Sequence, residues 1–315
     1  MADRQTTLRS PVTLEGIGVH SGAPACLCLR PSAANTGVVF LRKGLEGGHE
    51  QLIHARHNKV SATELCTVVG EQASGSVATI EHLMSACAGL GLDNVLVEID
   101  GPEMPIMDGS ASEFVKAIEA AGIVALGAAR RYLKVLRTVR VENGRAFAEL
   151  SPAESGFRLD VEIDFDTTAI GRQRKIFDLD PQAYASEISR ARTFGFMRDV
   201  EQLWKAGFAL GASLDNTVAI GDDKVINPEG LRYADEFVRH KVLDAVGDLS
   251  LAGYPMLGEF RSYCGGHRMN IRILEALFAD RANYAIVEAE PVYAPRAVQM
   301  AASVPMPAAL APDLH

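Results

Sequence analysis

Residues 237–249, FVRHKVLDAVGDL, read as a mostly apolar helix that nevertheless carries His240, Asp244 and Asp248 at intervals of four. That spacing stacks the three side chains in one row on a single helix face. Phe237, Val238, Val242, Leu243, Val246 and Leu249 supply the apolar positions. Read alone, the row fits a solvated face with an i,i+4 His–Asp pair better than it fits a metal site. A second stretch bears on that choice. Aligning His82 with His240 sets TIEHLMSACAGLGLDNVLVEIDG (79–101) beside EFVRHKVLDAVGDLSLAGYPMLGEF (236–260) and brings Gly89 onto Gly247. The offset, 240 − 82 = 158, is about half of the 315-residue chain. Two related helices would then each carry a histidine at an equivalent place. Packed face to face about a pseudo-twofold axis, they can bring both histidines to one point.

The surrounding pattern is duplicated too. Alternating runs such as ACLCLRP, TGVVFLRK and NVLVEIDG predict strands, with helices over residues 77–89 and 111–121. After Arg130 the strands YLKVLRTVRVE, AFAELSP and FRLDVEIDF precede helices at 181–190, 198–206, 230–252 and 268–280 and a late strand, ANYAIVEAEP. Strands followed by helices, done twice, predict two α+β domains, 1–126 and 131–289, parted at residues 127–130. Residues 290–315 read as a Pro/Ala-rich C-terminal tail.

Composition narrows the class. With 48% apolar and 23% charged residues the chain is that of a globular protein with a sizeable core. A net charge of −9 argues against a nucleic-acid partner, which wants a basic face. No signal peptide is evident, and no apolar run reaches the ~18 residues of a membrane span. Five scattered cysteines (26, 28, 66, 87 and 264) fit a reducing cytoplasm better than a disulfide framework. Cys26 and Cys28 are expected on a strand with both thiols toward a core.

A catalytic zinc takes three protein ligands and keeps a position for water. His82, His240 and Asp244 can supply two imidazoles and a carboxylate. Glu81, beside a ligand yet free, can take a proton from water. The order Glu-His, then His-x-x-x-Asp, is not the HExxH pattern of zincins. In CGGHRMN (264–270) Gly265 and Gly266 allow a turn that aims His267 into a cleft, where Asp248 can orient and charge it. His20, in GIGVHSG (16–22), is expected to line that cleft, and His49, His54 and His57 to lie on the surface.

Several of these segments resemble one family. GIGVHSG, ATIEHLMSACAGLGLDN (78–94), PIMDGSASEFV (105–115), SRARTFGFMRDVE (189–201), HKVLDAVGD (240–248) and GGHRMN are similar to segments of the zinc-dependent UDP-3-O-acyl-N-acetylglucosamine deacetylases of lipid A biosynthesis in Gram-negative bacteria. The resemblance runs from about residue 5 to 289. It implies a duplicated β-α-α-β sandwich with the helices packed between two sheets. It implies one catalytic zinc per chain on His82, His240 and Asp244, with Glu81 as general base. It also implies His267 as general acid or electrostatic stabiliser beside Asp248, Thr193 at the developing oxyanion, and Lys241 on substrate. The implied partner is a UDP-linked acylated amino sugar, met by a cytoplasmic monomer with at most peripheral membrane contact.

Residues 191–211 look like the insert that shapes a channel for the 3-O-acyl chain, lined by Phe194, Met197, Val200, Leu203, Trp204 and Phe208; Val200, Leu203 and Trp204 read equally well as a core stripe. The chain departs from the family pattern at Thr167-Thr168, where His-Pro is expected, and within 214–223. Arg145 takes the place of a lysine near the nucleotide diphosphate. Three other readings stay open: a zinc hydrolase of another N-acyl sugar or amide, a module with a structural metal, and a nucleotide-binding module. A structural zinc would want four closed ligands, and neither a GxGxxG nor a Walker loop is present.

Overall fold

A computed structural model describes residues 3–289; the tail expected at 290–315 lies outside the described residues. Two sheets of the same internal order enclose a layer of helices. In the first sheet the order is Val12–Ile17, Pro24–Pro31, Val95–Ile99, Val38–Arg42, Gln51–His54. In the second it is Val139–Asn143, Ala146–Ser151, Met256–Tyr263, Phe157–Asp164, Arg172–Asp178. Strand directions match as well. The central strand of each sheet is antiparallel to one neighbour and parallel to the other, and each outer pair is antiparallel. Flanking pairs repeat too: Arg4–Leu8 runs antiparallel to Ile123–Ala129, and Arg131–Val135 to Tyr284–Glu288. The duplicated α+β sandwich is thus present in the strand order itself.

The helices are α1 (Glu81–Leu90), α2 (Ser112–Ala121), α3 (Pro181–Ala183, continued as a π turn over Tyr184–Ile188), α4 (Met197–Lys205), α5 (Glu236–Leu249) and α6 (His267–Phe278). α1 and α5 lead into the two central strands and pack against each other. α5 is buried nearly all round, as a helix between two sheets must be. α2 lies on the strand Val12–Ile17, and α6 on Val139–Asn143 and Ala146–Ser151. The two aligned glycines both serve close packing. A Cβ at Gly247 would stand 2.1 Å from the Glu81 carbonyl oxygen, and one at Gly89 would stand 2.3 Å from the Tyr184 ring. Gly247 therefore lets α5 approach the first turn of α1 at backbone distance.

Some local expectations are corrected. The helix expected from residue 77 begins at Glu81, because Gly75–Val77 pairs as a strand with Val68–Glu71. The helix expected from 230 begins at Glu236, and 181–190 holds only the short α3. Residues 123–129 form a strand paired with Arg4–Leu8, so the boundary expected at 127–130 falls at the end of paired backbone. Cys26 and Cys28 do not face the core. Ala25, Leu27 and Leu29 take that face, and alternation turns both thiols to the half-exposed side. His57 is half-buried and stacks on Phe278 with ring centroids 4.3 Å apart.

Candidate metal centre

α1 and α5 bring His82, His240 and Asp244 together across the two halves of the chain. One ligating atom from each lies within 4.8 Å of the others. Asp244 Oδ1 stands 3.4 Å from His240 Nε2 and 3.9 Å from His82 Nε2. The i,i+4 spacing on α5 accounts for the first contact, and the approach allowed by Gly247 for the second. His240 Nδ1–H donates to the Ala191 carbonyl at 3.0 Å, which leaves the Nε2 lone pair facing inward. Lys241 Nζ donates to Asp244 Oδ2 at 2.6 Å, while Asp244 Oδ1 is buried without a hydrogen-bond partner.

The electrostatics suit a cation. Burial, helped by His240, pushes the His82 imidazole down to about 3, so it is neutral. Burial also lowers His240. For Asp244 burial works against the charge, but His240 and Lys241 overcome it and hold the carboxyl well below the usual carboxylate range. Lys241 is shifted upward, the pull of Asp244 outweighing its own burial. Two neutral imidazoles and one ionised carboxylate with an orphaned oxygen form a donor set for a divalent cation.

Beside this triad lies a second group. Glu81, 3% exposed, accepts from the Thr67 backbone N–H at 3.0 Å through Oε2. Its Oε1 stands 3.9 Å from His267 Nε2. Burial, with Asp248 and Asp244 near, pushes Glu81 up to about 7, although His267 opposes this. His267 opens α6, and its Nδ1 lies 2.9 Å from Asp248 Oδ2. Burial pulls His267 down, but Asp248 and Glu81 overcome it and raise the imidazole to about 9. Asp248 also accepts from Thr67 Oγ1 at 2.6 Å and from Asn270 Nδ2 at 2.9 Å.

Comparison with known proteins fits this arrangement. Residues 5–279 match the model of the LpxC family, UDP-3-O-acyl N-acetylglycosamine deacetylase. The chain belongs to this family. Proteins named UDP-3-O-acyl-N-acetylglucosamine deacetylase from Brucella ovis, Brucella abortus and Brucella melitensis are each 49% identical to it over 286 residues, 90% of this chain and 99% of the relative.

In this member of the deacetylase family a cavity of ≈ 740 Å³ opens over the site. Glu81, His82, Thr193, Lys241 and His20 line one part of it. Thr193 is fixed by its backbone, N–H to the Gly109 carbonyl at 2.7 Å and carbonyl to Val218 N–H at 2.8 Å, and the residue lines the cavity. Phe194, Met197, Val200, Leu203 and Trp204 line the remainder. No residue of α4 is buried, so Val200, Leu203 and Trp204 are not a core stripe. Phe208 is not on the cavity wall; it packs edge-on against His20, ring centroids 5.5 Å apart. Arg145 lies outside the cavity on an exposed hairpin, bonded to Asp164, whose neighbour Phe165 does line it. Thr167 occupies a turn in which its hydroxyl donates to Asp223 Oδ1 at 2.6 Å.

Sequence reasoning missed Thr67, Asn270 and the Ala191 carbonyl. Thr67 sits in a plain ELCTVV run and carries no motif. Asn270 lies one turn after His267, a spacing that would place it on the same helix face.

Proposed function

We propose that the chain hydrolyses the N-acetyl group of UDP-3-O-acyl-N-acetylglucosamine, releasing acetate and the free 2-amino sugar, with one zinc ion per chain on His82, His240 and Asp244. The observation that carries this reading is the orphaned Asp244 Oδ1 facing two imidazole nitrogens, with the Glu81 carboxylate and the His267 imidazole alongside. When bound, zinc would supply Lewis-acid polarisation of the amide carbonyl and of a water molecule.

The chain's own groups do the rest. Glu81, near neutrality and held by one oxygen only, accepts the proton of the attacking water. His267, kept protonated by Asp248, stabilises the developing charge and supplies a proton to the departing amine. The Thr193 hydroxyl donates to the developing oxyanion. Lys241, on the cavity wall, contacts the substrate while holding Asp244. The acyl chain lies along Phe194, Met197 and Val200, with Phe208 supporting His20 behind the wall. Arg145, exposed near the Phe165 end of the cavity, meets the diphosphate.

The product would commit the sugar to lipid A biosynthesis in the cytoplasm of a Gram-negative cell. We read the protein as a monomer of two domains, 1–126 and 131–289, without nucleic-acid partners and with at most peripheral membrane contact. A deacetylation assay on the UDP-linked acylated sugar tests the function, run with metal-free and zinc-restored protein. Acetate release restored by zinc is the expected result. Equal turnover by the metal-free protein would sink the metal assignment, and no turnover in either form would sink the substrate.

A further inference from the structure

Four residues, the candidate acid–base pair among them, close into a ring. Thr67, fully buried just before the strand Val68–Glu71, donates twice. Its backbone N–H goes to Glu81 Oε2 at 3.0 Å, and its hydroxyl to Asp248 Oδ1 at 2.6 Å. The oxygens left over are Glu81 Oε1 and Asp248 Oδ2. These face the two nitrogens of one imidazole, His267 Nε2 at 3.9 Å and Nδ1 at 2.9 Å. Glu81 and Thr67 belong to the first half of the chain, and Asp248 and His267 to the second. The ring therefore also crosses between the halves.

We propose that Thr67 is a positioning residue: by holding one oxygen of Glu81 and one of Asp248, it sets which oxygen of each carboxylate is presented to His267. Two like-charged carboxylates flanking one imidazole would otherwise each rotate to share its protons. A carboxylate freed at one oxygen turns about its terminal torsion at little cost, because that torsion has no sharp staggered wells. The backbone donor restrains Glu81 whatever the side chain at 67. The hydroxyl restrains Asp248, assisted at Oδ2 by Asn270. Side-chain replacement therefore tests the Asp248 arm alone.

This inference rests on Glu81 and His267 acting as proposed above. The experiment uses the zinc-loaded full chain and compares Thr67→Val, Thr67→Ala and Thr67→Ser. Valine keeps the β-branched shape and removes only the hydroxyl. Kinetics on the UDP-linked acylated sugar are read beside the His267 Nδ1–H proton signal in ¹⁵N-histidine-labelled protein. With the hydroxyl gone, kcat falls about tenfold, the scale of a hydrogen bond to a charged group, while KM changes by less than about twofold. The Nδ1–H signal moves or broadens. Thr67→Ser restores both within about threefold, a rescue that lost packing would not show.

Thr67→Ala and Thr67→Ser carry the comparison should the valine variant fail to fold. Wild-type kcat without the hydroxyl overturns the proposal. So does a slowed variant whose Nδ1–H signal is unmoved, or a serine variant as slow as valine. If the wild-type holoenzyme released no acetate, the functional reading alone would fail. The Nδ1–H signal would still decide whether Thr67 governs the Asp248–His267 contact.

Discussion

Glu81, His82, His240, Asp244 and Asp248 are all buried, whereas on the wall of the same cavity Met197 is 46% exposed and Trp204 52%. The floor is carried by α1 and α5; its carboxylates accept hydrogen bonds from Thr67, Asn270 and Lys241, and the His240 imidazole donates to the Ala191 carbonyl. The wall is carried by α4 and the flanking segment, where no helical residue is buried and apolar surface meets solvent. The difference separates two tasks. Groups whose charge must be ready before the reaction are fixed in low dielectric, because reorganising them during it would cost rate. On the function proposed above, surface that would fit a hydrocarbon chain stays half-open and would gain its burial only when that chain arrives.

Several experiments can break or sharpen this contrast. The largest effect belongs to the floor. Asp244→Ala removes one candidate ligand and the partner of Lys241, so metal content should collapse and turnover fall below detection. Elemental analysis alongside acetate release checks this; full zinc occupancy with normal rates would dissolve the site.

The wall comes second. Without the 3-O-acyl chain, kcat/KM on UDP-N-acetylglucosamine should drop by about 10³-fold, about 4 kcal/mol at 1.36 kcal/mol per decade. Each buried methylene contributes ~0.8 kcal/mol at most, so part of a long chain suffices. Some of that remote binding should orient the amide, lowering kcat as well as raising KM. Met197→Asp, which puts a charge on the wall, should erase most of the preference. Near-equal rates on both sugars would mean that the wall has no such role.

Glu81→Ala and His267→Ala should each cost roughly 10²-fold with metal largely retained, the usual scale for general acid–base groups. The pH profile of kcat/KM carries the same assignment. If Glu81 is the base proposed above it acts deprotonated, so activity should rise with pH through its value, about 7, or lower with a cation bound. If His267 is the acid proposed above it acts protonated, so activity should fall as pH passes about 9. A basic limb unchanged in His267→Ala would reassign the acid.

The smallest effect is at the rim. Arg145 is 65% exposed and already shared with Asp164. Arg145→Ala should raise KM about tenfold or less and leave kcat unchanged, as expected when only uniform binding is lost. A matching loss in kcat would place Arg145 nearer the chemistry than its hairpin suggests.

Much of this was legible in the chain before any fold. The row at 240, 244 and 248, the Glu81-His82 pair and the alignment of Gly89 with Gly247 are local or repeat features. Helical periodicity alone dictates which of those side chains share a face. Element boundaries were less legible: the strand at Gly75–Val77 took Val77, which the helical pattern had claimed, and the helix began only at Glu81. The two cysteines at 26 and 28 show the same weakness, since alternation places them together but does not say which face the core takes. Convergence of His82 on Asp244, the Thr67 ring across both halves and the departure of Phe208 from the cavity wall were decided by tertiary structure. Each depends on how closely two chain-distant elements approach. Gly247 sets that approach for α1 and α5 by leaving no Cβ between them, and the spacing of residues along either helix does not encode it.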